Sequence, residues 1–133
     1  MTEPASLRVL VVEDHADTAE STALFLRLHG HEVEVAPDGP TALRIAADNP
    51  PDVALIDIGL PGGMNGWEVA RRLQEPAAGK MPLLIAVTGY GQEADRRRSR
   101  EAGIHLHLVK PADPEDLTQL LERFKTIIGE RRA

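Results

Sequence analysis

The sequence contains no cysteine. That excludes a disulfide framework and any thiolate-bound metal. No apolar run approaches the roughly 18 residues needed to span a membrane. Residues 1–6 are polar and lack a basic flank, so nothing there resembles a secretory leader. A cytoplasmic location, without membrane contact, is the expectation. Internal repeats and low-complexity tracts are missing. A basic excess is missing too: 15 Lys and Arg face 21 Asp and Glu, a net charge of −6. This balance favours solubility and argues against direct nucleic-acid binding. What remains is 133 residues, 42% hydrophobic and 27% charged, enough core for one domain and little room for a second.

The apolar residues fall into short runs that alternate with helical patterns. Strands are expected at residues 7–12, 31–36, 53–57, 82–87 and 104–109. The second alternates polar and apolar residues, with Val33 and Val35 on one face, which suits a sheet edge. The third, Val53-Ala54-Leu55-Ile56-Asp57, is apolar throughout until its carboxylate, as in a strand buried on both faces. Helices are expected at residues 15–29, 38–49, 65–74, 92–102 and 113–128. Ala16, Ala19, Ala23 and Leu26 mark the buried face of the first. Asp38 and Asn65 open the second and third, and Gly129 ends the last. The domain is therefore expected at residues 7–128, between flexible tails at 1–6 and 129–133. Five strands alternating with five helices imply a doubly wound parallel α/β sheet with helices on both faces.

In such a sheet every strand-to-helix loop opens on one edge, where ligands bind. Glu13, Asp14 and Asp57 meet there, with Thr88 and Lys110 from two further loops. Alone, each has a simpler reading. Glu13-Asp14 suits a helix cap, Asp57 or Thr88-Gly89 a turn, and Lys110-Pro111 a strand end. All of them at matching strand ends favour a site. Three crowded carboxylates need a cation, and an all-oxygen set suits Mg²⁺. Lys110 adds positive charge, and Thr88 offers a hydroxyl to a phosphate oxygen. Asp57 is then a candidate nucleophile for phosphoryl transfer.

The residues Val11-Val12-Glu13-Asp14, Asp57 with Pro61, Gly66, Val87-Thr88-Gly89, Ala102-Gly103 and Val109-Lys110-Pro111 together resemble the receiver domain of two-component response regulators. The resemblance covers residues 7–128. It implies a flavodoxin-like (βα)5 fold of strand order 2-1-3-4-5. It implies phosphoryl transfer to Asp57 from a histidine kinase or histidine phosphotransfer protein. Mg²⁺ would be held by Glu13, Asp14, Asp57 and the Gly59 carbonyl. A cis Lys110-Pro111 bond is implied as well. Thr88 would switch with a side chain of the last strand, and a downstream protein would read the face of the fourth helix, fifth strand and fifth helix. Such a domain is no metabolic enzyme: it catalyses only its own phosphorylation and dephosphorylation.

Departures from the family pattern are visible. Gly62-Gly63 lengthens the loop between Asp57 and Gly66 by one residue. His107 stands where Tyr or Phe is common in the family, which leaves Tyr90 as another switch candidate. The segments 88–92 and 107–111 look more like receivers of hybrid kinases than those feeding DNA-binding domains. His15, His29 and His31 read as surface residues, and Trp67 as packing at the start of the third helix. Arg96, Arg97, Arg98 and Arg100 form a basic run, read either as a solvated face or as a docking surface. A small Mg²⁺-dependent phosphohydrolase is the rival reading, but Gly59 stands where a second acid would be required. A flavin-binding domain would suffer repulsion between its phosphate and Glu13-Asp14.

Overall fold

The computed structural model describes residues 6–60, 62–75, 81–88, 93–109 and 113–132. Its elements alternate as β1 (Arg8–Val12), α1 (Ala16–Leu28), β2 (Glu32–Ala36), α2 (Gly39–Asp48), β3 (Val53–Asp57), α3 (Gly66–Leu73), β4 (Leu83–Thr88), α4 (Glu93–Glu101), β5 (Leu106–Val109) and α5 (Pro114–Arg132). The five strands are all parallel, in the order β2-β1-β3-β4-β5. β3 is central and every residue of it is buried. β2 and β5 are edges and are only partly covered.

Successive strand residues point to opposite faces of a sheet. Leu10, Val12, Ala54, Ile56, Leu84 and Ala86 therefore pack on one side, with Ala42, Val69, Ala70 and Leu73 of α2 and α3. Val9, Val11, Val53, Leu55 and Ile85 pack on the other, with Ala23 and Leu26 of α1 and Leu117 and Leu121 of α5. The sheet is thus sealed on both faces, which is why its central strands carry so few polar residues.

Local signals place the helices. The Asp38 side chain accepts from the Thr41 amide at 2.8 Å, and Asn65 accepts from the Glu68 amide at 3.0 Å. Each satisfies an amide that the helix itself cannot. α4 ends with Ile104 N–H donating to Ser99 O at 2.9 Å and Gly103 N–H donating to Arg100 O at 3.0 Å. This paired closure is a Schellman motif. It uses the Ile104 amide, so β5 starts at Leu106 rather than at residue 104.

Three expectations are corrected. Ala16 is exposed, in the first turn of α1, where its neighbours Asp17 and Thr18 line a pocket rather than the core. α5 runs through Gly129 to Arg132, past the point where the glycine was expected to stop it. His31 is buried rather than on the surface. Its Nδ1 accepts from the Leu7 amide at 3.3 Å, at the closed end of the sheet. Burial holds the His31 pKa below its ordinary value, and nearby Lys125 pushes it the same way. At that end Asp52 also accepts from the Arg8 amide at 2.8 Å, and its own amide donates back to Arg8 O at 2.8 Å.

Candidate functional site

The opposite end of the sheet is open. Glu13 follows β1, and its amide still donates to Ala36 O at 3.0 Å, prolonging the β1–β2 ladder. The residue is held there and buried. Asp14 and His15 turn outward into α1 and are exposed. The His15 amide donates to Glu13 Oε2 at 3.2 Å, and His15 Nδ1 lies 3.8 Å from the same oxygen. One donor atom from each of Glu13, Asp14 and His15 falls within 4.8 Å of the others.

Asp57 ends β3 and is 8% exposed. Gly59 N–H donates to its Oδ1 at 2.9 Å, which fixes the rotation of the carboxylate. Ile58 N–H donates to Val87 O at 3.2 Å, so the β3–β4 ladder also continues past Asp57. Glu13 and Asp57 line one pocket of about 570 Å³. Its polar wall includes Asp17, Thr18, Ser21 and Thr22 of α1, and its apolar floor includes Leu55, Val87 and Leu108. A small group entering it meets buried carboxylates at one end and hydroxyls along one side.

Thr88 ends β4 and is buried, one residue beyond the Asp57–Val87 pair. It is matched in register with Val109, and Ala86 is matched with His107. Thr88 and His107 therefore lie on adjacent strands. Lys110, Pro111 and Tyr90 fall outside the described residues, and so does Pro61. In the loop after Asp57, Gly62 has a φ of +90°, which a side chain would oppose.

The donor set fits a hard divalent cation, since carboxylates dominate it. It includes His15, which the sequence reading placed on the surface and which is indeed exposed. The signal for its place in the set was its position directly after the acidic pair, at the start of α1. The structure also joins Trp67 to Ser99, 32 residues apart, which no local pattern announces.

Comparison with known proteins agrees with this geometry. Residues 9–122 match the model of the response regulator receiver domain. The chain is 35% identical over 130 residues to the response regulator PleD of Caulobacter vibrioides, covering 96% of this chain but only 28% of that protein. It is 33% identical over 114 residues to protein PilH of Pseudomonas aeruginosa, covering 86% of this chain and 93% of PilH. Among solved structures, a CheY-like receiver domain protein of Methanospirillum hungatei superimposes with a TM-score of 0.85 at 28% identity, covering 96% of this chain and 99% of the other. The chemotaxis protein CheY4 of Vibrio cholerae gives 0.83 at 29% identity, covering 90% and 99%. An open-ended parallel sheet with buried acids at the ends of β1 and β3, found in a chain with these relatives, identifies it as a member of the response regulator receiver domain family.

Proposed function

We propose that Asp57 is the phosphoacceptor of a two-component phosphorelay. The observation that carries this reading is the buried Asp57 carboxylate, fixed by the Gly59 amide and facing the same pocket as Glu13. A phosphohistidine on a histidine kinase or phosphotransfer protein is the donor. A carboxylate oxygen of Asp57 forms the new P–O bond, the donor's P–N bond breaks, and the leaving imidazole takes up a proton. Glu13, Asp14, Asp57 and the Gly59 carbonyl would hold Mg²⁺, which supplies charge neutralisation to the phosphoryl oxygens. Lys110 would add positive charge to balance the phosphoryl group, and the Thr88 hydroxyl would donate to a phosphoryl oxygen.

Phosphorylation places about two negative charges and several acceptor oxygens at the top of the sheet. Thr88 turns toward them, and His107 or Tyr90 responds, which shifts the α4–β5–α5 face between two states read by a downstream protein. The domain begins near residue 7, extends to the end of α5 at Arg132 and acts in the cytoplasm. Its only catalysis is its own phosphorylation and dephosphorylation. Among the described residues no helix is long and apolar enough to cross a membrane.

Incubation with acetyl phosphate and Mg²⁺ should add one phosphate that hydroxylamine removes. Asp57→Asn should take up none. Incorporation at the wild-type level in that variant would overturn the assignment.

A further inference from the structure

α4 has an unusual composition for a helix of such a fold. Of its described side chains, Arg96, Arg97, Arg98, Arg100 and Glu101 are exposed and only Ser99 is buried. Among its described side chains no apolar one is buried, whereas most protein helices are held by an apolar face; Ala102 and Ile104, which follow it, are buried in the core. A side chain of α3 contributes a further hold. The indole N–H of Trp67 donates to Ser99 Oγ at 3.0 Å, with both residues buried. The Arg98 guanidinium lies 3.9 Å from the centre of the same ring. A cation over an indole face is attracted to it, and a buried hydrogen bond is costly to break. Below them, Gln74 at the end of α3 donates to Ala102 O.

The other end of this connection touches the site. Gly66, the residue before Trp67, is pressed against the backbone of β3. A β-carbon there would lie 2.7 Å from both Asp57 O and Ile58 Cα. Gly66 N–H also donates to Ile58 O at 3.4 Å. The first turn of α3 therefore cannot ignore a change in the backbone at Asp57 or in the loop that follows. Close-packed elements transmit such shifts because they have no slack.

We propose that Trp67 is a positioning residue that couples the phosphoacceptor loop to α4, through Gly66 at one end and through Ser99 and Arg98 at the other. The route rests on the Asp57 reading above and runs separately from Thr88 and His107. A backbone shift at Asp57 and Ile58 displaces the first turn of α3, Trp67 moves with it, and Ser99 carries α4 along. Because Ser99 O also accepts the Ile104 amide that closes α4, the pull reaches the beginning of β5. The Arg run then has two roles: Arg98 belongs to the latch, and Arg96, Arg97 and Arg100 are what the latch moves.

The test uses the full chain in three variants: Ser99→Ala, Trp67→Phe and Thr88→Ala. Without phosphate, losing one neutral hydrogen bond should make α4 amides exchange about five-fold faster in Ser99→Ala. With Mg²⁺ and beryllofluoride, the amides of residues 58–65 should shift in Ser99→Ala as in wild type. The α4 shifts should fall below about half their wild-type size, as expected when one of two routes is cut. Trp67→Phe keeps a ring for Arg98 but loses the N–H donor, and should behave like Ser99→Ala. Thr88→Ala should retain the beryllofluoride shift of the Trp67 indole N–H. Wild-type exchange and wild-type α4 shifts in both Ser99→Ala and Trp67→Phe would overturn the route alone. So would loss of the indole shift in Thr88→Ala. A wild-type loop that ignores beryllofluoride would overturn the Asp57 reading, and this route with it.

Discussion

The two neighbouring helices α3 and α4 have nearly opposite characters. α3 buries Gly66, Trp67, Val69, Ala70 and Leu73 within eight residues. α4 spends four of its nine residues on arginine and, among its described side chains, buries only Ser99. The strands beside them differ in the same sense: β3 is buried throughout, whereas β5 is exposed or half-exposed along its length. On the proposed reading of Asp57, the contrast separates the work of holding a reactive carboxylate from the work of showing the result. A nucleophile needs a fixed geometry, because small misplacements cost rate. A reporting surface needs two arrangements of similar free energy, and light packing provides that.

Paired truncations test this contrast most strongly. Ile56→Ala in β3 removes a fully buried side chain, and should lower stability by about 2–5 kcal/mol in chemical denaturation. Leu106→Ala in β5 starts from 37% exposure, and should cost less than about 1 kcal/mol. Equal costs would mean that β5 is as firmly built as β3. The next effect concerns metal. At Mg²⁺ ten times its dissociation constant, linkage should stabilise the wild type by about 1.4 kcal/mol, and Asp14→Ala should lose that gain. Protection from amide exchange should rise at residues 13–17 and 57–59 and leave α4 unchanged. A full metal-dependent rise in the melting temperature of Asp14→Ala would remove it from the ligand set.

The smallest effect is a pH dependence at the closed end of the sheet. Burial, then Lys125, lowers the His31 pKa from 6.5 in the folded state, and Glu122 opposes them. The unfolded chain therefore binds a proton first. Stability is complete above the unfolded value of 6.5 and falls as pH drops through it toward the folded value. Protonation also removes the Nδ1 lone pair that accepts the Leu7 amide. Melting temperature between about pH 7.5 and 5 should show a downward slope that His31→Gln reduces. An identical slope in the variant would assign it to other groups.

The alternation of strands and helices was legible because each strand is a short apolar run bounded by Gly, Pro or acid, and both sheet faces demand apolar residues. The caps at Asp38 and Asn65 were legible for a local reason: each bonds an amide three residues away. Glu13 and Asp57 could be brought to one edge from the sequence, since parallel connection forces it. What escaped depended on context. Ala16 has a helical spacing that fits the buried face, but its neighbours line a pocket rather than the core. Ile104 looks like a strand residue, yet its amide closes α4. His31 is polar by type and is buried because Leu7 supplies a donor. Trp67 and Ser99 meet only because two separate helices lie side by side, and sequence periodicity describes one helix at a time.

Trp67 is the single tryptophan of the chain, and its surroundings give it an optical use. A cation rests on one face of the ring and a hydroxyl sits on the indole nitrogen. Both bear on the excited-state dipole of an indole, so any change in their geometry as α3 and α4 shift together would alter the colour and intensity of its emission. No competing tryptophan obscures the signal. The lifetime of the proposed phosphorylated conformation could therefore be followed in stopped flow on the unlabelled protein, through the same ring that joins the two helices.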